Sequence, residues 1–256
     1  MTGRMPPPDT LLQDVTTCIG FYTRIPVPAG DRRSLADAHW AAPVAGAVAG
    51  MVVGLSLWLA LALSVPAAIA AALALAIGIA LTGALHEDGL ADVADGFGGG
   101  QDRERKLEIM RDSRLGTYGA LALMLSLLTR WGALTALAAA SPFVMLLVVV
   151  AAHTASRALV PAFMLRVPPA RSYGLSADVG RPDPAPALVA LAIGMVALVI
   201  CGLWFALIAT LLLAVVFLSL ERLATSQIGG QTGDVLGALQ QGGEIAVLVA
   251  AASLFA

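Results

Sequence analysis

Long apolar runs separated by short polar clusters set the architecture of this chain. Residues 42–64 and 67–85 are apolar throughout, and only Val65-Pro66 parts them, a spacing that predicts two membrane spans folded as a hairpin. Residues 116–139 and 142–165 repeat the arrangement around Ser141-Pro142. Residues 187–220 would extend roughly 50 Å as one helix, against a hydrocarbon core of roughly 30 Å. They therefore predict a third, shorter hairpin, turned at Cys201-Gly202. Residues 235–256 form a last span, interrupted by Gln240, Gln241 and Glu244. Upstream, residues 11–28 are apolar but broken by Gln13, Asp14 and Arg24, which predicts an interfacial or re-entrant helix ending at Pro26. A charged linker with Asp31, Arg32, Arg33 and Asp37 follows, then His39-Trp40 at the expected membrane surface. The expected fold is all-α: one integral-membrane domain over residues 1–256, a bundle of about seven transmembrane helices arranged as hairpins.

Composition supports this reading, with 59% hydrophobic and 12% charged residues and a mean hydropathy of +0.86. A soluble globular domain is far less apolar. The net charge of -2 hides a strong segregation, since nearly all charged residues fall in clusters between the apolar runs. No nucleic-acid footprint is implied. Cys18 and Cys201 stand far apart in apolar surroundings and read as ordinary buried thiols. The stretch from Met1 to Asp9 is Pro-rich and lacks the order of a cleaved signal peptide, so none is expected. Hairpin folding puts the N-terminal region and the loops 86–115, 166–186 and 221–234 on one side of the membrane. Those regions hold nearly every Lys and Arg, while the opposite turns carry no charge. By the positive-inside rule that side faces the cytoplasm, which places the chain in the cytoplasmic (inner) membrane, surrounded by lipid.

The candidate chemistry starts in the stretch His86-Glu87-Asp88-Gly89-Leu90-Ala91-Asp92-Val93-Ala94-Asp95-Gly96. On an α-helix Asp92 lies about 40° from Asp88 and Asp95 about 20° the other way, so the three share a face, whereas His86 falls about 160° away. Asp88 and Asp95 are about 10 Å apart along such a helix, too far to wrap one ion, so the row suits two ions, or one ion with ligands from elsewhere. Oxygen-only ligands favour Mg²⁺, with Mn²⁺ as the other choice. A solvated helix end is the competing account. Gly96, Gly98, Gly99 and Gly100 are expected to end the helix and leave backbone open to a ligand. Residues 101–114 predict a short helix outside the bilayer, with Glu104 and Glu108 pairing to Arg105, Lys106 and Arg111. Arg111 and Arg114 flank Asp112-Ser113, a pattern that suits bidentate phosphate binding and equally suits a positive-inside anchor. Gly230, Gln231, Thr232 and Asp234 form a Gly-rich loop able to cradle phosphates, without the lysine of a Walker loop. Arg130, His153 and Arg157 lie inside spans and should face the bundle interior. Arg130 and His153 suit a structural role against a carboxylate such as Glu244, and Arg157 is a candidate to reach substrate.

Taken in order, three motifs resemble one family. They are His86-x-Asp88-Gly89-Leu90-Ala91-Asp92-x-x-Asp95-Gly96, then Glu108-Ile109-Met110-Arg111-Asp112-Ser113-Arg114-Leu115-Gly116-Thr117, then Gly229-Gly230-Gln231-Thr232-Gly233-Asp234. Together with Phe21-x-Thr23-Arg24-Ile25-Pro26-Val27-Pro28 and Ser156-Arg157, they resemble the cobalamin-5'-phosphate synthase (adenosylcobinamide-GDP ribazoletransferase) family over most of the chain. Glu87 departs from the pattern, where an apolar residue is expected. The resemblance implies a Mg²⁺-dependent membrane enzyme that joins α-ribazole or its 5'-phosphate to adenosylcobinamide-GDP and releases GMP. It implies Asp88, Asp92 and Asp95 as metal ligands and Asp95 or Asp112 as the base, with His86 behind them. Substrate would be held by Arg24, Arg111, Ser113, Arg114, Arg157, Arg171, Gly230, Gln231, Thr232 and Asp234. Two alternatives stand beside it. A CDP-alcohol phosphotransferase would use similar aspartates, but the Arg of its motif is missing here. A cation-coupled transporter would place its carboxylates at the membrane midplane.

Overall fold

The computed structural model describes residues 8–27 and 34–256. Pro28 and the linker residues Asp31, Arg32 and Arg33 lie outside them. The described residues form α1 (Pro8–Tyr22), α2 (Leu35–Ala38), α3 (Ala42–Ala62), α4 (Ala67–Thr82), α5 (Leu85–Gly99), α6 (Arg103–Ile109), α7 (Thr117–Leu137), α8 (Pro142–Arg166), α9 (Leu175–Val179), α10 (Pro184–Ile200), α11 (Leu203–Ile228) and α12 (Gly233–Phe255), and a 3₁₀ turn His39–Ala41 joins α2 to α3. The fold is the expected all-α membrane bundle. Leu35–Ala62, α7, α8, α11 and α12 are each long and apolar enough to cross a membrane. α4 and α5 qualify only as a pair bent by 89°, and α10 is a shorter apolar helix. α1 stops at Tyr22, short of the expected Pro26.

Residues 63–66, 138–141 and 201–202 turn three hairpins. The starts of α3, α7, α10 and α12 therefore gather at one end of the bundle with the ends of α4, α8 and α11. Local caps fix these boundaries. The hydroxyls of Ser141 and Thr232 accept the amides of Val144 and Val235 at the first turns of α8 and α12. α11 ends where Gly229 turns left-handed at φ 77. Residues 221–228, expected in a polar loop, instead continue α11, because no helix breaker precedes Gly229. Of the glycines expected to end α5, Gly96, Gly98 and Gly99 lie inside it, and Gly100 caps it, its amide donating to the Gly96 carbonyl. A β-carbon at Gly98 would lie 2.7 Å from the Tyr118 ring, so this glycine admits a neighbour.

α8 is the central helix, packed on α3, α10 and α12. Lipid cannot squeeze helices together as water does, so close backbone approach matters here. α3 achieves it with Gly46, Gly50 and Gly54 on one stripe. A β-carbon at Gly50 would come 2.8 Å from the Val150 Cα, and at Gly54 2.7 Å from Leu146. At Gly46 it would collide with the His153 carbonyl. Gly50→Leu is expected to lower stability in detergent by about 1–3 kcal/mol, read as a reduced thermal midpoint. Gly132→Leu, where a β-carbon would meet nothing within 4 Å, should leave the midpoint unchanged. Equal midpoints for the two variants contradict the close α3–α8 contact.

Candidate active site

The site depends on a break that periodicity did not reveal. Gly83 (φ 64) and Ala84 (φ 59) are consecutive left-handed residues, which turn α5 across the end of α4. Ala84 carries a β-carbon in that conformation, at a cost of about 1–2 kcal/mol. The N-terminal segment supports the break: the Arg24 amide donates to the Leu81 carbonyl at 2.7 Å. The exposed Arg24 guanidinium lies over Gly83, where a β-carbon would collide with it.

Past the break, α5 crosses α12 through glycine on both sides. A β-carbon at Gly89 would lie 2.8 Å from the Asp234 carbonyl oxygen, and one at Gly237 would lie 3.2 Å from that of His86. This contact brings Asp234 toward Asp88 and Asp92. Asp88 is exposed, while Asp92 and Asp234 are half-buried. Burial, reinforced by the charges of Asp234, Asp88 and Asp95, pushes the Asp92 carboxyl up to about 7. Among the described residues no three His, Cys, Asp or Glu side chains converge into a ready-made ion cage. The donor set is nonetheless all oxygen, and its mutual repulsion is what a hard divalent cation relieves.

Cations face this wall. Arg171 lies 3.9 Å from Asp234, whose carboxylate also accepts the Thr232 hydroxyl at 3.0 Å. The guanidinium groups of Arg111 and Arg171 sit 5.1 Å and 5.7 Å from the ring centre of Tyr173. Tyr173 therefore gathers two arginines from different loops. Sequence reasoning missed it, and a lone tyrosine in a Pro- and Arg-rich loop carries no signal of its own.

The other expected site residues take different positions. Asp95 is buried, and its two oxygens accept the amides of Gly116 at 2.7 Å and Gly119 at 2.8 Å. It caps α7 from another helix, and a β-carbon at Gly116 or Gly119 would strike it. Asp112 chelates Arg114, and hydrogen bonds from that guanidinium hold its carboxyl at about 2. Ser113 is exposed beside them. Gly230 fits where a β-carbon would meet the Pro168 carbonyl, and Gln231 exchanges backbone hydrogen bonds with Pro168 and Ala170 at 2.8 Å. Gln231 and Thr232 are both buried, so they shape the loop. His86 is buried on the far side of α5 from Asp88, its ring parallel to Tyr22 with centroids 5.8 Å apart.

Behind α5 lies a buried ion cluster. Arg130 on α7 bonds Glu87 at 3.0 Å and Glu244 at 3.3 Å. His153 Nδ1 lies 3.1 Å from Glu244 and 3.2 Å from the Arg157 guanidinium. The Gln240 amide donates to Glu244 at 2.7 Å, and the Gln241 amide to Glu87 at 3.3 Å. Arg130 and His153 thus meet Glu244, as expected, and Glu87, unexplained by sequence, is the second carboxylate of Arg130. Arg157 is 1% exposed and engaged in this cluster.

The family model for cobalamin-5-phosphate synthase matches residues 14–252. An adenosylcobinamide-GDP ribazoletransferase of Mesorhizobium japonicum is 49% identical over 246 residues, covering 95% of this chain and 94% of the relative. Namesakes from Bradyrhizobium diazoefficiens and Azorhizobium caulinodans are 50% and 45% identical, with 95% and 93% of this chain and 94% and 95% of theirs covered. No solved structure matches. For the ion cluster, Arg130→Met strips Glu87 and Glu244 of their shared cation and is expected to cost about 3–5 kcal/mol. Adding Glu87→Gln should recover part of that loss, giving a coupling of about 1 kcal/mol or more in a double-mutant cycle followed by unfolding in detergent. Simple additivity contradicts the pairing.

Proposed function

The chain belongs to the cobalamin-5-phosphate synthase family, and from that membership we propose that it transfers the adenosylcobinamide phosphate moiety of adenosylcobinamide-GDP to α-ribazole or α-ribazole 5'-phosphate, releasing GMP. The observation that carries this reading is the crossing of α5 and α12, which gathers Asp88, Asp92 and Asp234 at the polar end of the bundle, with Arg171 3.9 Å from Asp234 and Arg111 sharing the Tyr173 ring with it. A row of oxygens facing two arginines matches a pyrophosphate with its cation. The active site faces the cytoplasm in this reading, because the polar end holds the Lys- and Arg-bearing loops.

A ribose hydroxyl of the acceptor attacks the phosphorus nearest the cobinamide arm. The bond from that phosphorus to the bridging oxygen breaks, and GMP leaves with the oxygen. Asp88, Asp92 and Asp234 would hold Mg²⁺, which when bound neutralises pyrophosphate charge. Arg171 and Arg111 orient the phosphates, with Tyr173 keeping both guanidinium planes in place. The hydroxyl proton passes to the same carboxylate wall. Asp95 and Asp112 are less available for it, one engaged by two amides and the other held strongly acidic by Arg114, which makes it a weak base. Asp95 instead fixes α7 against α5.

In nanodiscs with Mg²⁺, the protein is expected to release GMP from adenosylcobinamide-GDP in the presence of α-ribazole. Asp92→Asn should slow GMP release by about 100-fold or more while the thermal midpoint stays near wild type. Asp95→Asn should lower the midpoint as well, since an amide offers one acceptor where two amides arrive. Full activity of Asp92→Asn, or release of CMP from a CDP-alcohol in place of GMP, contradicts the proposal.

A further inference from the structure

The three polar segments of the bundle meet at one side chain, Arg103. It is the first residue of α6, which packs on α5 and α11. Asp102 fixes the start of that helix, its carboxylate accepting the Arg105 amide at 2.8 Å. From there the Arg103 guanidinium reaches two other segments. Nε donates to the Ile228 carbonyl at the end of α11 at 2.9 Å, and Nη2 donates to the Ala170 carbonyl at 2.5 Å. Nη1 lies 3.5 Å from Glu104 in an exposed pair, a contact that contributes little.

Both carbonyls need a donor. Ile228 is the last residue of α11, where a carbonyl has no partner within the helix and a cation is favoured. Ala170 is buried in a segment without regular structure. A planar guanidinium holds its donors in a fixed fork and can serve the two at once, whereas an ammonium is a single point. Ala170 is thereby held on both sides, since its amide donates to the Gln231 carbonyl at 2.8 Å. The next residue is Arg171, and Gln231 lies three residues before Asp234. The 3.9 Å approach of Arg171 to Asp234 thus joins two segments that are bonded to each other and pinned from a third. With its fork committed to backbone, Arg103 acts on substrate only through what it holds.

We propose that Arg103 is a positioning residue for the transfer reaction: by gripping the Ala170 carbonyl against the end of α11, it sets Arg171 beside Asp234 to meet the donor pyrophosphate. The proposal rests on the reaction proposed above and adds a residue that touches neither substrate nor cation. It also gives α6, outside the bilayer, a part in the site.

Kinetics of the full-length protein in nanodiscs with Mg²⁺ test it. The Arg103 side chain is 48% exposed, so water can reach the carbonyls it leaves and its variants should fold. Arg103→Met is expected to raise KM for adenosylcobinamide-GDP roughly tenfold, with KM for α-ribazole within about twofold of wild type. Arg103→Lys keeps the charge without the fork and should behave like Arg103→Met. In an Arg171→Ala background, Arg103→Met should change kcat/KM for the donor by less than about twofold, because the group it positions is gone. A full effect in that background, wild-type constants for Arg103→Lys, or a fall in kcat with both KM values unchanged overturns the proposal. Hydrogen exchange gives a readout independent of turnover: in Arg103→Lys the amides of residues 170–173 should exchange about tenfold faster or more, with those of Gly116 and Gly119 unchanged. Equal protection of residues 170–173 in variant and wild type also overturns it. If the wild-type protein releases no GMP, the reaction reading fails, while the exchange rates still decide whether Arg103 holds this segment.

Discussion

A helix with four carboxylates can lie against an apolar bundle only if each acid finds a partner or reaches water, and α5 divides its faces to do this. Glu87 turns inward to Arg130, Asp95 takes the first amides of α7, and Asp88 and Asp92 are left toward the polar end. The two engaged acids anchor the helix from behind and from its C-terminal half. The two that remain therefore sit on a rigid support, facing Asp234 across a glycine crossing. In the proposed site, Arg171 and, through Tyr173, Arg111 meet these carboxylates because α5 is turned away from α4 at Gly83 and Ala84.

The same economy of charge runs through the core. Glu244, 2% exposed, meets Arg130, His153, Arg157 and Gln240, so the interior ions of α5, α7, α8 and α12 form a single cluster. Such a cluster adds little net stability over apolar packing, but removing one member leaves another unpaired in the membrane interior. Its value lies in fixing how α5 sits against three spans. Close backbone contacts provide the rest, through glycine at the α3–α8 and α5–α12 interfaces.

Much of this was legible in the chain. Apolar runs broken at only two residues announced the hairpins, and the 160° offset of His86 foretold that it would leave the aspartate face. The charges inside spans pointed Arg130 and His153 toward Glu244. What stayed hidden were contacts between distant segments. Helical phase placed Asp95 with Asp88 and Asp92, but no local pattern says that Gly116 and Gly119 bring their amides to it. The apolar run through Leu85 read as one continuous span, because alanine at position 84 gives no warning of a left-handed residue. Glu221 and Arg222 read as loop, yet helix propensity carries α11 through them until Gly229 stops it. The role of Tyr173 needed three dimensions, since the two arginines it gathers come from separate loops.

The central claim is that turning α5 across α12 creates one site for pyrophosphate and cation. The most direct test is an experimental structure of the protein in lipid nanodiscs with Mn²⁺ and a non-hydrolysable analogue of adenosylcobinamide-GDP. The account predicts the ion bound directly by carboxylates among Asp88, Asp92 and Asp234, with the pyrophosphate between it and Arg171. An ion or pyrophosphate bound away from these residues, or α4 and α5 running as one straight span, would contradict it.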